Sequence, residues 1–443
     1  MAARLIRVFK ALLPAPFTIA VVLTLVTFVL AYFLSPNQET PLSLLNYWEK
    51  GLWNSPLLVF AVQMMLMLVL GHVLALTKTV SYWIDKATLL CSNTAQAAAW
   101  VTLLTLLVSF FNWGLGLVFG GIFARNVGEH ATKNNIPLNY PLIGAAGYSG
   151  LMVWHGGISG SAPIKIAEKG HFLEEKMGII SQSETIFSTM NISISLVLLI
   201  VLPFLMYMLG KKSESKIIKL NSAPIEDEKE EIQGAERLDH SNILAYVFGG
   251  MIIIYCLYKV LILPQQLSLS FITPNFINLF LLGFGILLHK NFNHFLKGVN
   301  QAIGGASGIL IQFPLYFGIM GIMNSSGLVG VFSDFFVSIS NPTTFPIFAF
   351  ISSGIVNVFV PSGGGQWAVQ GPIIIEAASQ LNIPYWKAVM ALAYGDQLTN
   401  MLQPFWALPL LAITGLKAKD ILPYSLLLLL LGGSIFVIGL LLF

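Results

Sequence analysis

Charge is what this chain has least of. Only 10% of its 443 residues are charged, 23 Lys and Arg against 20 Asp and Glu, where a soluble domain carries about 25%. That is too little polar surface to coat a body of this size, so a soluble enzyme is excluded. The formal charge of +3 is too small and too dispersed for a nucleic-acid partner. Cysteine is scarce as well. Cys91 and Cys256 make neither a CxxC pair nor a metal-ligand spacing, and both read as small buried hydrophobes. Alternating strand patterns are missing, which leaves helices to satisfy the backbone in lipid.

What the chain has is apolar residues, 56% of the total. They fall in stretches near 15–34, 52–76, 96–124, 138–162, 185–209, 242–263, 270–289, 299–323, 345–375, 386–412 and 421–443. Runs of this length predict one all-α polytopic membrane domain rather than about three soluble ones. Arg4, Arg7 and Lys10 precede the first run with no small-residue cleavage site after it, so Pro16–Leu34 reads as an uncleaved first helix. Residues 210–240 hold 14 of the 43 charges and read as a cytoplasmic linker.

Two stretches, 96–124 and 345–375, have polar, glycine-rich middles: Asn112-Trp113-Gly114 in one, Pro361-Ser362-Gly363-Gly364-Gly365-Gln366 in the other. Each is either a kinked crossing or a hairpin that enters and returns. Charge bias decides between them. With both as re-entrant hairpins and the N-terminus inside, 17 of the 23 basic residues collect on the cytoplasmic side and 6 outside. If 96–124 crossed once, the Lys-rich linker would move outside. Nine crossings, two hairpins and an external C-terminus follow.

The halves also resemble each other. Gln63 and Asp85 match Gln312 and Asp334 at offset 249, Asn112 matches Asn357 at 245, Asn135-Ile136-Pro137 matches Asn382-Ile383-Pro384 at 247, and Tyr148 matches Tyr394 at 246. Five crossings separate equivalent points, so the second copy is expected upside down, the plan of many secondary transporters. The organisation expected is therefore an N-terminal helix and external loop (1–51), a first repeat (52–209) with an inward hairpin at 96–133, a linker with two connecting helices (210–298), and a second repeat (299–443) with an outward hairpin at 345–376.

The segments Phe359-Val360-Pro361-Ser362-Gly363-Gly364-Gly365-Gln366-Trp367 and Tyr394-Gly395-Asp396-Gln397-Leu398-Thr399-Asn400-Met401, with Tyr148 to Ile164, resemble the bacterial short-chain fatty acid transporter family of the ion transporter superfamily. The resemblance covers nearly the whole chain. It implies a homodimeric scaffold, a transport domain of two hairpins and two interrupted helices, an elevator-type movement, and short monocarboxylates such as butyrate or acetoacetate as substrates. The dicarboxylate relatives carry Ser-Asn-Thr at their hairpin tips. Here Ser92-Asn93-Thr94 precedes the hairpin and is expected to cap its first helix.

A carboxylate crossing the membrane must exchange its hydration for protein donors, and half-helix N-termini offer them. Four backbone breaks qualify: Asn112-Trp113-Gly114, His155-Gly156-Gly157, Ser362 to Gln366, and Gly395 to Asn400. The expected substrate residues are Asn112, Trp113, Gly114, His155, Gly156, Gly157, Ser159, Asn357, Ser362, Gly363, Gly364, Gly365, Gln366, Thr399 and Asn400. Asp396, an acid at membrane depth, is the expected seat of a coupling proton or Na⁺, with Thr399 and Asn400 beside it; no other cofactor is expected. Trp113, Trp154, Trp367 and Trp406 flank the breaks, either as walls of an apolar pocket or as ordinary packing. Arg125 and Glu129 read as a helix-surface pair and Glu376 as a solvated helix end. A channel would use the same tips without a coupling ion. An intramembrane serine hydrolase built on Gly157-Ile158-Ser159-Gly160 lacks a base arriving from elsewhere in the fold.

Overall fold

The computed structural model describes residues 15–218, 220, 233–262 and 269–443. Arg4, Arg7, Lys10 and residues 219 and 221–232 of the charged linker lie outside the described residues. Among those described, the chain is helical apart from one isolated bridge, Leu138 to Lys216.

Helices α1 (Pro16–Leu34) and α2 (Pro41–Leu52) lead into α3 (Ser55–Ala75), α4 (Lys78–Thr88), α5 (Thr94–Phe111), α6 (Trp113–Lys133), α7 (Tyr140–Tyr148), α8 (Ser161–Ile166) and α9 (Thr189–Lys212). Two connecting helices follow, α10 (Asn242–Leu261) and α11 (Pro274–His289), then α12 (Phe292–Ala302). The second half runs through α13 (Ser307–Ser325), α14 (Leu328–Ile339), α15 (Phe345–Phe359), α16 (Gly363–Gln380), α17 (Tyr385–Thr399), α18 (Pro404–Thr414) and α19 (Ala418–Leu442).

Seven helices are long and apolar enough to cross a bilayer: α1, α3, α5, α9, α10, the run Phe292–Ser325, and α19. Of the nine crossings expected, three fall outside this set. One is the 16-residue α11. The other two are broken by irregular backbone between α7 and α8 and between α17 and α18. Side chains that stop one helix start the next. Asn93 Oδ1 accepts from the Gln96 amide at 3.0 Å, which is the capping role expected of Ser92-Asn93-Thr94. Cys91 and Cys256 are buried free thiols.

The helix order of 52–209 recurs in 299–443: a long helix (α3, α13), a short one (α4, α14), two that pack on each other across a tip (α5–α6, α15–α16), a helix that breaks and resumes (α7–α8, α17–α18), and a long last helix (α9, α19). Small details recur with it. Asn135 and Asn382 both sit at φ 53°, and the Ile after each donates its amide five residues back, Ile136 to Ala131 at 2.9 Å and Ile383 to Ala378 at 2.8 Å. This is a left-handed helix stop, where asparagine is tolerated. Asp85 accepts from Asn126 at 2.9 Å, and Asp334 from Gln380 at 3.1 Å, so each short helix holds the second arm of its hairpin.

Glycine sets the packing at a few places. Gly120 of α6 and Gly147 of α7 lie backbone against backbone, as do Gly395 of α17 and Phe350 of α15. Each hairpin is thereby joined to the interrupted helix of its own half with no side-chain layer between. In the last turn of α8, buried Lys165 binds Glu168 at 2.7 Å and Gln63 of α3 at 3.3 Å. Glu168 accepts from Gln63 at 2.9 Å and from Asn275 of α11 at 3.1 Å. Apolar side chains cover the outside: Ile243, Val247, Ile254 and Leu261 on α10 are exposed, as are Leu25, Val29 and Phe33 on α1.

Candidate substrate and coupling site

The first tip is tied down. Asn112 ends α5 in an extended conformation, and its Oδ1 accepts from the Leu115 amide at 2.8 Å to begin α6. The Trp113 amide donates to Ser159 Oγ at 2.9 Å, and the Ile158 amide donates to Phe110 O at 2.7 Å. Gly157 lies so close that a Cβ there would stand 2.5 Å from Phe110 O. Together these contacts staple the tip of α5–α6 to the break between α7 and α8.

The second tip is tied to its own break by amides. Asn357 Nδ2 donates to Asp396 O at 2.6 Å, Asn400 Oδ1 at 2.8 Å and Thr399 Oγ1 at 2.9 Å, and Gln403 Nε2 donates to Asn357 O at 2.6 Å. Gln366 Nε2 binds Ser353 O at 2.9 Å and Gln370 Oε1 at 2.8 Å, locking α16 onto α15. Ser362 caps α16 by accepting from the Gly365 amide at 3.2 Å. The first amides of a helix have no partner within it, and Gly363 and Gly364 at this helix start line a cavity.

Between the two breaks lies a buried ion pair. His155 Nδ1 is 2.5 Å from Asp396 Oδ2, and both side chains are completely buried. The Ala162 amide donates to His155 Nε2 at 3.1 Å, so the ring carries its proton on Nδ1 and gives it to the carboxylate. With that hydrogen alone the pair is anionic, and a second proton, on Asp396 Oδ1, makes it neutral. Gln397 Oε1 accepts from the His155 and Gly156 amides at 2.9 and 3.2 Å, closing the crossing of the breaks. Asp396 Oδ1 is buried without a hydrogen-bond partner, an arrangement that suits a proton or a cation.

A cavity of about 50 Å³ fronts this pair. Trp113, Trp154, Ser362, Gly363 and Gly364 line it on the hairpin side, and Met64, Leu68, Ile309, Gln312 and Phe313 on the side of α3 and α13. Trp154 stacks on the His155 ring, centroids 4.5 Å apart and planes 16° apart, and packs against Trp113 at 5.7 Å. Gly363 separates cavity from ion pair. A Cβ there would stand 2.6 Å from Trp154 Cη2, 2.9 Å from His155 Cε1 and 3.1 Å from Asp396 Oδ2.

Of the residues picked from the sequence, Trp113, Trp154, Trp406, Ser362, Gly363 and Gly364 line the cavity, with His155 and Asp396 directly behind. The others form its frame. Gly114 rests on the Leu68 backbone, Gly156 on Asn191 and Gly365 on Tyr316. Asn112, Ser159, Asn357, Gln366, Thr399 and Asn400 are engaged in the hydrogen bonds between tips and breaks given above. Ser159 has no catalytic base, since both nitrogens of His155 are committed elsewhere. Arg125 pairs with Glu129 at 2.7 Å, as expected on a helix surface. Glu376, expected to be solvated, is bonded instead to Lys176. The cavity wall from α3 and α13 was missed. Its signal was the offset of 249 already seen in Gln63 and Gln312, which also pairs Phe60 with Ile309 and Met64 with Phe313.

The profile of the short chain fatty acid transporter family matches residues 1–443. The chain belongs to the short-chain fatty acid transporter family. Two curated relatives share the name "Putative short-chain fatty acid transporter". That of Escherichia coli is 39% identical, covering 97% of this chain and 96% of its own, and that of Haemophilus influenzae is 38% identical over the same shares. These are transporters, not enzymes, and the family member described here is a multi-pass membrane protein. Two solved structures share the fold at 13% identity: the YdaH transporter of Alcanivorax borkumensis (TM-score 0.59, covering 96% of this chain and 98% of that one) and MtrF of Neisseria gonorrhoeae, described with a class of antimetabolite efflux pumps (TM-score 0.58, covering 98% and 97%).

Proposed function

We propose that this family member is a secondary active transporter that carries short-chain monocarboxylates such as butyrate or acetoacetate across the inner membrane, together with a proton or Na⁺. The observation that carries this reading is the buried His155–Asp396 pair, with one carboxyl oxygen unpartnered, directly behind the glycine tip of a largely apolar cavity. A substrate carboxylate in that cavity and the Asp396 carboxylate repel each other at low dielectric. A proton or Na⁺ at Asp396, at the break that also holds Thr399 and Asn400, removes the repulsion, so anion and cation bind best together. That mutual preference is coupling.

In this reading the hairpins at 96–133 and 345–376 are re-entrant, the repeats 52–209 and 299–443 are inverted, and the hairpins with their interrupted helices move as an elevator against a scaffold. The N-terminus is cytoplasmic and the C-terminus external. A homodimer would cover part of the apolar surface. Two bodies joined internally by glycine contacts support the elevator, and a site closed off by Gly363 favours coupled transport over a channel, whose conduction needs weak, open sites.

Uptake of labelled butyrate into proteoliposomes under separate proton and Na⁺ gradients is the test. Accumulation driven by one of them is expected, and accumulation driven by neither sinks the symport reading. Asp396→Asn is expected to abolish gradient-driven accumulation while retaining exchange of butyrate against butyrate.

A further inference from the structure

We propose, resting on that reading, that the substrate's carboxylate is held by the indole N–H groups of Trp113 and Trp154, while Met64, Leu68, Ile309 and Phe313 receive its alkyl chain and set the length admitted. Trp113 and Trp154 are 4% and 3% exposed, and in both the Nε1 donor is buried without a partner. A buried donor with no acceptor is costly to maintain, and the two rings that carry these donors line one cavity. Their orientations are held: Trp154 by its stack on His155, Trp113 by its backbone bond to Ser159 and its edge-on packing against Trp406 at 5.6 Å.

No Lys or Arg lines the cavity among the described residues. Recognition by neutral donors suits a monoanion that arrives with its own compensating cation. It also rejects a dicarboxylate, because a second carboxylate would lie among Leu68, Ile309 and Phe313 with no donor to replace its hydration. The division follows the fold. The indoles belong to the first hairpin and the first interrupted helix, whereas the apolar wall belongs to α3 and α13, one helix from each half. The head group is thus held by one body and the tail measured by the other.

Uptake of straight-chain acids from two to eight carbons separates the two roles. Trp113→Phe and Trp154→Phe keep a ring but lose the donor. Each is expected to raise KM about tenfold for every acid, the scale of one hydrogen bond to a charged group, with a smaller change in kcat. Ile309→Ala and Phe313→Ala remove wall contacts and are expected to shift the preferred acid one or two carbons longer, with the KM of the longer acids falling relative to that of butyrate. Wild-type KM values in both Trp variants, or an unchanged chain-length profile in both wall variants, overturn the inference. Should a variant fail to purify, resonance Raman of the wild type reads the indole N–H directly. Butyrate is expected to shift the band of two of the nine tryptophans, and the absence of any shift also overturns it. If wild type takes up no short-chain acid at all, the transport reading itself has failed, a result distinct from either outcome in the variants.

Discussion

At the first hairpin tip two opening amides of α6 are bonded inside the protein, that of Trp113 to Ser159 Oγ and that of Leu115 to Asn112 Oδ1. At the second, Ser362 takes only the Gly365 amide, and Gly363 and Gly364 line the cavity. The first tip is anchored to the neighbouring break, whereas the second borders the space in front of His155 and Asp396. Buried atoms without a partner include the donors Asn112 Nδ2, Trp113 Nε1 and Trp154 Nε1 around the first tip and break, and the acceptors Asn357 Oδ1, Gln366 Oε1, Asp396 Oδ1 and Gln403 Oε1, with the donor Trp367 Nε1, around the second. One helix order used twice carries different side chains at its two tips, and duplication of backbone has not meant duplication of chemistry.

That contrast can be broken most directly at the glycines. Gly363→Ala drives a methyl into Trp154, His155 and Asp396 and is expected to reduce butyrate uptake at least a hundredfold in proteoliposomes. Gly114→Ala would stand 3.0 Å from the Leu68 backbone, away from the ion pair. It is expected to lower the melting temperature in detergent more than it lowers uptake. Equal loss of uptake in both would erase the distinction between anchor and site.

A smaller effect separates the two staples. Asn357→Ala strips a donor from three buried acceptors and is expected to destabilise by about 2–4 kcal/mol, whereas Ser159→Ala orphans one amide, about 1–2 kcal/mol. Chemical denaturation of the purified protein measures both. The smallest effect probes what the halves share. Asn135→Gly and Asn382→Gly relieve the same positive φ, and each is expected to change stability by less than about 1 kcal/mol in the same direction. Opposite signs would argue against equivalent helix stops.

Three of the breaks were readable because glycine, asparagine and proline at membrane depth have few uses, and the helix order followed from the apolar runs. The fourth, expected over Gly395 to Asn400, falls later: α17 continues through Thr399 and the chain breaks only at Asn400 to Gln403, so Asp396 lies within the helix, one turn before its end. What could not be read was the partner of each polar group. Asn357 and Ser159 look the same in a sequence whether they bind a substrate or a neighbouring helix, and the fold assigns them to the helix. His155 and Asp396 each stood out alone, but they are 241 positions apart and nothing local pairs them. Met64, Leu68, Ile309 and Phe313 were hidden in plain apolar runs, where every position fits lipid or core equally well, so only the packing of α3 against α13 marks them as a wall.

In the elevator proposed above, sliding of the hairpin body past α3 and α11 would have to break the bonds that tie Lys165 and Glu168 to Gln63 and Asn275. Gln312 occupies the place of Gln63 in the second half, yet residues 404–416, which follow the second break, contain no charged side chain. One half thus carries a polar clasp that its counterpart lacks, an asymmetry that the shared helix order does not reveal.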